Sequence, residues 1–384
     1  MKIGIISPSF NSNDLGQAIV LNRLLEPFDK KEFCLISTNY YGKYHDNSSC
    51  NKFGKIYYPF SLPQKIQGFL LNSIFESGYV SYRRWQYYRI LKKEGCTHVV
   101  ACTADLFSTL AAQIASEQLK LPFILYSFDD YIYQWAFDQR YQNFAERTDH
   151  QVFQKTRKVI VPNEFLQKEY FSRYGIDSIV IHNPVDLSFF KREDNPEHEK
   201  IRIVYTGSIY DVHYDNFRNL ASAIKILPSV ELHLYTNQLP QVLEKQGITG
   251  KSVIIHKSVQ YKKIPDVLSG ADILFLPLAF SSPYPESTIR TASPGKMGEY
   301  LSSNRPILVH APEYSYISWY FSTFSCGVVI NEQNPEKLAE GITRAYKNYE
   351  IVQAGKLRAE HDFDINQVRE KFYASIKDMM DENS

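Results

Sequence analysis

Between two hydrophobic segments near the C-terminus lies the stretch Ser293-Pro294-Gly295-Lys296-Met297-Gly298-Glu299-Tyr300-Leu301. The segment before it, Ala271–Pro277, has the composition of a buried strand, and the segment after it, Ile307–Val309, that of a shorter strand. The stretch itself predicts a loop that leads into a helix. Ser293 suits the N-cap, and Pro294 suits the first helical position, where a missing N–H costs nothing.

The start of this predicted helix has the chemistry of an anion site. Free N–H groups and the helix dipole favour a negative charge there, and Lys296 adds a cation. Glu299 follows three residues later on the same helix face, so that an ammonium and a carboxylate flank one helix end. A phosphate beside a hydroxyl-bearing sugar would suit this pair. The alternative is an ion pair between the two side chains in solvent.

The alternation of strands and helices extends over the rest of the 384-residue chain, which is too long for one ordinary core. Such alternation predicts parallel sheets with right-handed crossovers, which bind ligands at the carboxyl ends of their strands. We therefore predict an α/β protein with two Rossmann-like, doubly wound domains facing across a cleft. The predicted first domain is residues 1–190, rejoined by a C-terminal helix at 365–384. A polar linker at 191–200 leads to the second domain, residues 201–364.

Polar residues follow several predicted strands of the first domain. The loop Asn11–Gly16 follows the first strand, and Gly16 is a candidate phosphate-binding residue, although a plain turn before a helix would look the same. Asp105 and Asp129 follow two later strands and are candidate acid/base residues. Asp129 and its neighbour Asp130 could also bind a metal, or could be an N-cap with a solvated neighbour.

The overall composition restricts the class of protein. The chain has 43 Lys and Arg against 42 Asp and Glu, and this net charge of +1 argues against general binding of nucleic acid. Its five cysteines show neither metal-ligand spacing nor a disulfide framework, which is typical of a reducing compartment. We see no signal peptide and no apolar run that could span a membrane. We therefore expect a cytoplasmic protein.

The stretch Tyr57–Lys93 is unusual because aromatic residues alternate with Lys and Arg. This mixture suits a membrane interface or an amphipathic acceptor, and it predicts a possible peripheral contact with the inner face of a membrane. The alternative is an amphipathic helix pair that packs on the sheet and turns its basic face to water.

Four segments occur in a distinctive order: His182–Asp186 followed by Phe190, then Val204–Ser208, Ala271–Pro277 and Lys296–Ile307. In this order they resemble the motifs "N-G-V-D…F", "y-x-G", "a-D-v-x-x-x-P" and "K-x-x-E-y-l-a-x-g-x-P-v" of the retaining glycosyltransferases of the GT-B fold, often called family four. The resemblance covers some 130 residues, roughly the second half of the chain.

The resemblance implies a nucleotide-diphosphate sugar held by the second domain and an acceptor held by the first. Glu299 would accept hydrogen bonds from the ribose hydroxyls, as an acceptor-only group can. The turn at Gly207 and Ser208 would face the phosphates. The diphosphate would be received by the helix start, whose residues are Ser293, Pro294, Gly295 and Lys296.

The chain also departs from the family pattern. The family often has a second glutamate eight positions before the matching one, and here that position is Thr291. A basic pair that usually follows the "y-x-G" turn is missing, and so is a histidine of the first domain. Arg290 and Lys296 could replace the missing cations.

We therefore predict a glycosyltransferase of the hexosyltransferase type, retaining and metal-independent, for surface glycans or glycoconjugates. It would need no cofactor beyond its sugar donor, would take a glycan or lipid-linked acceptor and would not bind nucleic acid. The predicted catalytic residues are Asp105, Asp129 and Lys296, and Lys296 and Arg290 would stabilise the leaving diphosphate. The alternatives are a non-catalytic scaffold that binds a sugar nucleotide or a partner, and a sugar-nucleotide epimerase.

Overall fold

The computed structural model describes residues 2–10, 16–38, 55–190 and 197–381 of the chain. The predicted loop Asn11–Gly16 lies outside these residues except for Gly16, as do residues 191–196 of the predicted linker. The chain forms two compact units, one with the residues up to Pro184 and from Val368 onwards, the other with Val185–Gln367. The change of unit comes slightly before the expected end of the first domain at residue 190.

The first unit contains a seven-stranded parallel sheet within its described residues, in the order β3-β2-β1-β4-β5-β6-β7. Alternate residues of its central strands belong to two separate clusters. Phe123 and Leu125 face one cluster, and Ile124 and Tyr126 face the other. Both sheet faces are therefore covered, which is why the strands read as continuous hydrophobic runs. The strands are β1 (Ile3–Ser7), β2 (Phe33–Ser37), β3 (Ile56–Tyr57), β4 (His98–Cys102), β5 (Phe123–Tyr126), β6 (Lys158–Val161) and β7 (Ser178–Val180).

Helices cover both faces of this sheet. Tyr79, Val80 and Tyr87 of the long helix α3 belong to the core, and so do several residues of α4. The stretch Tyr57–Lys93 therefore contains the helix pair α2 and α3. This agrees with the interpretation of its sequence as an amphipathic helix pair that packs on the sheet. The helices are α1 (Gly16–Leu25), α2 (Gln64–Leu70), α3 (Glu76–Glu94), α4 (Leu106–Leu119), α5 (Gln139–Gln154) and α6 (Glu164–Tyr174).

The second unit contains a six-stranded parallel sheet within its described residues, in the order β10-β9-β8-β11-β12-β13. The central strand β11 is buried along its whole length. The prediction of two Rossmann-like parallel sheets is therefore confirmed. The strands are β8 (Ile201–Thr206), β9 (Val230–Thr236), β10 (Val253–Lys257), β11 (Ile273–Pro277), β12 (Ile307–His310) and β13 (Val328–Ile330).

Several helices of the second unit are short. The strongly amphipathic α14 packs its apolar side into the core beneath β12 and β13. The helices are α7 (Leu187–Phe190), α8 (Tyr214–Ile226), α9 (Pro240–Lys245), α10 (Ile264–Ser269), α11 (Glu286–Thr291), α12 (Met297–Ser302), α13 (Tyr316–Thr323), α14 (Pro335–Ala345) and α15 (Tyr349–Arg358).

The last helix, α16 (Ile365–Asp381), begins in the second unit and continues in the first. Its residues Val368, Phe372 and Ile376 are buried in the cluster beneath the first sheet, where Phe372 contacts Tyr126. The buried residues of α16 are thus part of the first unit's core. Among the described residues, no helix combines the length and the apolar character needed to cross a membrane.

Candidate functional site

The turn after β8 is built around a glycine. Gly207 is exposed and has a φ of +122°, a backbone conformation that residues with a side chain rarely adopt. A Cβ atom at this position would lie 3.0 Å from Nζ of Lys296. The absence of a side chain at Gly207 therefore leaves room for the ammonium group of Lys296 at the carboxyl end of the strand.

Lys296 lies against an aromatic ring rather than in bulk solvent. Its Nζ is 3.8 Å from the centroid of the buried Tyr205 ring, within the range of a cation–π interaction. The surrounding protein desolvates the ammonium and lowers the pKa of Lys296 from 10.5 to about 7, and the negative charge of Glu299 opposes this shift. The alternative of a solvated surface ion pair does not describe this environment.

The helix start differs from the prediction. The helix α12 begins at Met297 with Lys296 as its N-cap, so Ser293 is not the N-cap and Pro294 is not the first helical residue. The carbonyl of Pro294 accepts a hydrogen bond from the N–H of Met297 at 2.9 Å, which closes a turn before the helix. A Pro-Gly pair favours such a turn, and the exposed Gly295 is a poor helix former. Lys296, rather than Ser293, therefore lies at the helix end.

Tyr300 fixes α12 to β8. Its buried hydroxyl accepts a hydrogen bond from the N–H of Thr206 at 3.1 Å, immediately before Gly207. On the other side of the helix, a Cβ atom on Gly298 would lie 2.7 Å from Phe363 and 2.8 Å from Val185. The close packing and the hydrogen bond together set the position of the helix that carries Lys296 and Glu299.

The other predicted donor-binding residues lie on the same segments. Ser208 is exposed, and its carbonyl accepts a hydrogen bond from the hydroxyl of Tyr205 at 2.6 Å. Glu299 is half-buried in the first turn of α12. Arg290 is half-buried in the last turn of α11, before the loop that leads to Lys296. The structure thus brings Gly207 and Lys296 into contact and places the other residues on adjoining segments.

Thr291, where the family pattern has a glutamate, is buried at the end of α11. Its hydroxyl donates a hydrogen bond to the carbonyl of Ser287 at 2.9 Å, within the helix. This threonine faces the protein. The carboxylate chemistry of the predicted donor site therefore depends on Glu299.

His213 belongs to the same environment, although the sequence pattern did not identify it. The ring is buried, lies 4.8 Å from the ring of Tyr210, and has an Nδ1 atom without a hydrogen-bond partner among the described residues. Burial lowers the pKa of His213 to about 3, and the charge of Lys296 contributes to this shift. His213 is therefore neutral at neutral pH. The only sequence signal that could have identified His213 was its position in the polar segment that follows β8.

A second buried network holds the loop after β11. Both Phe280 and Ser281 donate their backbone N–H groups to Oδ2 of Asp215, at 2.8 and 2.9 Å. The neighbouring Asn216 bonds the ring of the buried His310, and burial lowers the pKa of His310 to about 4. These contacts fix the backbone of the loop at the carboxyl ends of β11 and β12. Their role is to stabilise the structure around the candidate site.

Asp105, predicted to be catalytic, is the N-cap of α4. It is 1% exposed and accepts a hydrogen bond from the N–H of Ser108 at 3.1 Å. Burial raises its pKa, and the positive charge of Arg83 opposes the shift. Arg83 is itself buried and bonds the carbonyl of Phe60, the hydroxyl of Tyr87 and the hydroxyl of Ser108. Asp105 is thus a cap near a buried cation, and its catalytic role stays a prediction.

Asp129 and Asp130 have different environments. Asp129 follows β5 and is exposed as a residue, yet the protein around its carboxyl desolvates it and raises its pKa, and the negative charge of Asp130 adds to the shift. Asp130 is buried, accepts hydrogen bonds from the N–H groups of Ile132 and Tyr133, and pairs with Arg173 at 2.9 Å. Asp130 is therefore a capping aspartate, whereas the raised pKa of Asp129 does not fit a fully solvated neighbour. Among the described residues, no group of three or more His, Cys, Asp or Glu side chains could hold a metal ion.

Gly16 is the first residue of α1 and is exposed. The residues before it, 11–15, are not among those described. Its predicted role in binding phosphate stays a prediction.

Comparisons with known proteins agree with this fold. The chain matches two family descriptions, "Glycosyltransferase Family 4" over residues 57–189 and "Glycosyl transferases group 1" over residues 200–348. A search of curated proteins by sequence gave no significant match.

Similar solved structures extend over nearly the whole chain. HepE of Anabaena, in complex with UDP and glucose, has a TM-score of 0.70 at 13% identity, covering 98% of this chain and 99% of that chain. A glycosyltransferase from Rickettsia africae ESF-5 has a TM-score of 0.69 at 13% identity, covering 99% of each chain. A UDP-GlcNAc 2-epimerase from Neisseria meningitidis, bound to UDP-GlcNAc, has a TM-score of 0.61 at 11% identity, covering 98% of this chain and all of that chain.

Identities this low establish the shared fold, while the two family matches cover successive parts of the chain. Most of both units is matched. The chain therefore has the GT-B fold of these solved structures, with a part that matches Glycosyltransferase Family 4 followed by a part that matches Glycosyl transferases group 1.

Proposed function

We propose that the protein transfers a sugar from a nucleoside-diphosphate sugar and that the donor's diphosphate binds at Gly207 and Lys296. The observation that carries this proposal is the position of the Lys296 ammonium, which lies against the Tyr205 ring and within 3.0 Å of where a Gly207 side chain would begin. A cation held in a desolvated place beside an exposed, side-chain-free turn gains free energy when an anion approaches. The backbone at Gly207 can come close to that anion.

Glu299 and Arg290 complete the proposed donor site. Glu299 lies one turn beyond Lys296 and would accept hydrogen bonds from the two hydroxyl groups of a ribose. Arg290 would add a second positive charge to the diphosphate. This division follows the family resemblance, and it suits the chemistry of each side chain.

Departure of the diphosphate leaves an oxocarbenium-like sugar, so the transition state carries negative charge on the leaving group. Lys296 and Arg290 would stabilise that charge, which is the most effective form of catalysis a fixed cation can give. We propose that these protein cations suffice without a metal. Turnover that persists after treatment with a chelator would support this, and turnover restored only by added Mg²⁺ or Mn²⁺ would contradict it.

The acceptor is proposed to be a glycan or lipid-linked sugar that the first unit binds. Asp129, which follows β5, is an acid/base candidate in that unit, because desolvation raises the pKa of its carboxyl. We propose a hexosyl transfer with retention of the anomeric configuration. The anomeric proton coupling of the first-formed product, measured by NMR, would distinguish retention from inversion.

The test is a panel of UDP-, GDP- and dTDP-sugars, followed by detection of the released nucleoside diphosphate. UDP-glucose comes first, because the similar structure of HepE was determined in complex with UDP and glucose. Release that depends on an added acceptor and is lost in Lys296→Met supports the proposal. A matched control is Lys262→Met, which removes an exposed lysine from the same unit.

Two other outcomes would replace the proposal. Conversion of the sugar nucleotide to an isomer without an acceptor would indicate an epimerase, an activity that the Neisseria relative has by name. Tight binding without turnover of any donor would indicate a non-catalytic scaffold.

A further inference from the structure

The helices α2 and α3 expose an unusual set of large apolar side chains. Ile74 is 88% exposed, Phe69 is 76% exposed, and Phe75 is 65% exposed, all on or beside the turn between the two helices. Such protruding side chains cost free energy in water. They are close in sequence, so the exposed apolar surface is concentrated in one part of the first unit.

The outer face of α3 continues this surface with aromatic and cationic residues. Tyr82, Trp85, Arg89 and Lys92 are exposed and follow each other at intervals of three or four residues, which places them on one side of the helix. Tyr82 stacks on Trp85, and the guanidinium of Arg89 lies 5.0 Å from the Trp85 ring centroid. The face thus changes from aromatic near the start of the helix to cationic near its end.

A groove of about 540 Å³ lies along the cationic end of this face. It lies between the segment that follows β3 and the C-terminal half of α3. Residues that line it include Tyr57, Trp85, Tyr88, Arg89, Lys92 and Lys93. Its walls therefore combine aromatic rings with three cations, a composition suited to the phosphate and glycerol of a lipid headgroup.

The two acidic side chains on these helices are already bound. Glu76 pairs with Arg147 at 3.0 Å, and Glu94 pairs with Lys2 and accepts a hydrogen bond from Tyr57. Their negative charges are therefore compensated locally. The exposed Lys and Arg residues give the face a net positive charge.

We propose that this face, formed by α2, the turn at 71–75 and the outer side of α3, docks the protein on a membrane that contains anionic phospholipid. The apolar tips enter the interfacial region, and the groove binds a lipid phosphate beside Arg89 and Lys93. Aromatic side chains with long cationic neighbours are the residues that lie at the level of lipid headgroups. The inference is independent of the proposed transfer reaction, because docking needs no sugar nucleotide.

The same observations disfavour the other occupants. The cores of protein–protein interfaces are depleted in lysine, whereas Lys92 and Lys93 are exposed on this face. A second copy of the chain would place one set of cations opposite another. General binding of nucleic acid does not require protruding side chains such as Ile74, which has no aromatic ring for stacking on a base.

The test is co-sedimentation of the full chain with vesicles of phosphatidylcholine alone or mixed with an equal part of phosphatidylglycerol. We expect binding to the mixed vesicles, little binding to the neutral ones, and release at high salt because screening weakens the attraction. Equal binding to both kinds of vesicle, or none to either, would overturn the proposal.

Two pairs of variants locate the contact. Phe69→Ser with Ile74→Ser should weaken binding about tenfold for each side chain, and Lys92→Gln with Lys93→Gln about fivefold for each lysine. The matched controls are Tyr349→Ser with Leu357→Ser, at 63% and 66% exposure, and Lys262→Gln with Lys263→Gln, another exposed lysine pair. The controls should bind like the unmodified protein.

Thermal unfolding and light scattering complete the experiment. All four variants change exposed side chains and should unfold like the unmodified protein, which shows that lost binding is not lost folding. If the first two pairs bind vesicles as the controls do, the proposed face is wrong. If these two pairs of variants instead dissociate a dimer that light scattering detects in the unmodified protein, the face binds a second copy of the chain. If the protein binds an oligonucleotide more tightly than vesicles, the face binds nucleic acid. Either result would overturn the proposal.

Discussion

At the carboxyl end of the first sheet, Asp130 accepts hydrogen bonds from two backbone N–H groups and is paired with Arg173. At the carboxyl end of the second sheet, Lys296 lies against the face of Tyr205 beside the open turn at Gly207. Charges bound by caps and counter-charges stabilise the fold. A desolvated cation on an aromatic ring is stabilised less fully, so it has more to gain from a ligand. The same topological position can therefore serve structure in one sheet and binding in the other.

The largest effect should come from removing the cation of the second sheet. We expect Lys296→Met to lower kcat/KM for the donor about a hundredfold to a thousandfold, because a fixed charge on the leaving group is lost. Steady-state nucleotide release measures the change, and Lys262→Met is the control. If Lys296→Met binds and turns over the donor normally, the two sheet ends do not differ as described.

The next effect concerns the space that Gly207 provides. Gly207→Ala introduces strain of about 1–3 kcal/mol, because φ is +122°, and its new Cβ displaces the Lys296 ammonium. We expect nucleoside diphosphate affinity to fall about tenfold or more in calorimetric titration. The control is Gly250→Ala, where φ is +156° but the nearest atom, on Val253, is 3.7 Å away. Equal losses of affinity in both variants would show that strain alone is responsible.

Lys296 should make the stability of the protein and its affinity for a nucleoside diphosphate change with pH in opposite directions. Because the pKa of Lys296 is about 7 in the folded protein and 10.5 in the unfolded chain, the unfolded chain binds more protons between these values. The nucleotide-free protein should therefore gain stability from this group as the pH rises above about 7. Nucleoside diphosphate affinity should fall over the same range, since the neutral amine does not attract the diphosphate.

Thermal unfolding and calorimetric titration at several pH values test both signs. Lys296→Met should lose this contribution to both pH dependences, while Lys262→Met should keep them. Affinity that stays constant as the pH rises in the unmodified protein would contradict a neutral Lys296 in the free site.

The smallest effect on catalysis should come from the first sheet. We expect Asp105→Ala to lower the free energy of unfolding by about 1 kcal/mol, because the N–H of Ser108 loses its capping acceptor. Turnover per folded molecule should not change. The control Asp138→Ala removes the cap of α5, which is less buried, and should cost less. Lost turnover with unchanged stability would instead support the catalytic role predicted from the sequence.

Strands were the most predictable part of the fold. Apolar runs in the sequence predict strands at His98–Cys102 and Phe123–Tyr126 and a helix at Leu106–Leu119, and the structure has these bounds, because burial on both sheet faces leaves a continuous apolar signal. Hydrophobic periodicity predicts a further helix at Leu220–Leu227, but the helix α8 begins at Tyr214. Its first turn contains Asp215 and Asn216, which are polar but buried in a hydrogen-bond network, so hydrophobic periodicity could not identify it.

The site was predictable only in part. The spacing of Lys296 and Glu299 indicated a ligand-binding pair, but Tyr205 and His213 approach Lys296 only after folding. Local sequence also could not distinguish a catalytic Asp105 from a capping one, since both follow a strand and precede a helix. The Pro294-Gly295 turn was the one local signal that should have moved the predicted helix start.

The helix α16 makes the second unit an insertion within the first. Val368, Phe372 and Ile376 complete the core beneath the first sheet, yet the ribosome adds them after the entire second unit. During synthesis the second unit can therefore finish folding while the first still lacks part of its core. A protein truncated at Pro184 would expose the apolar surface that α16 covers, so the first unit should be insoluble alone and recover solubility when α16 is supplied as a separate peptide.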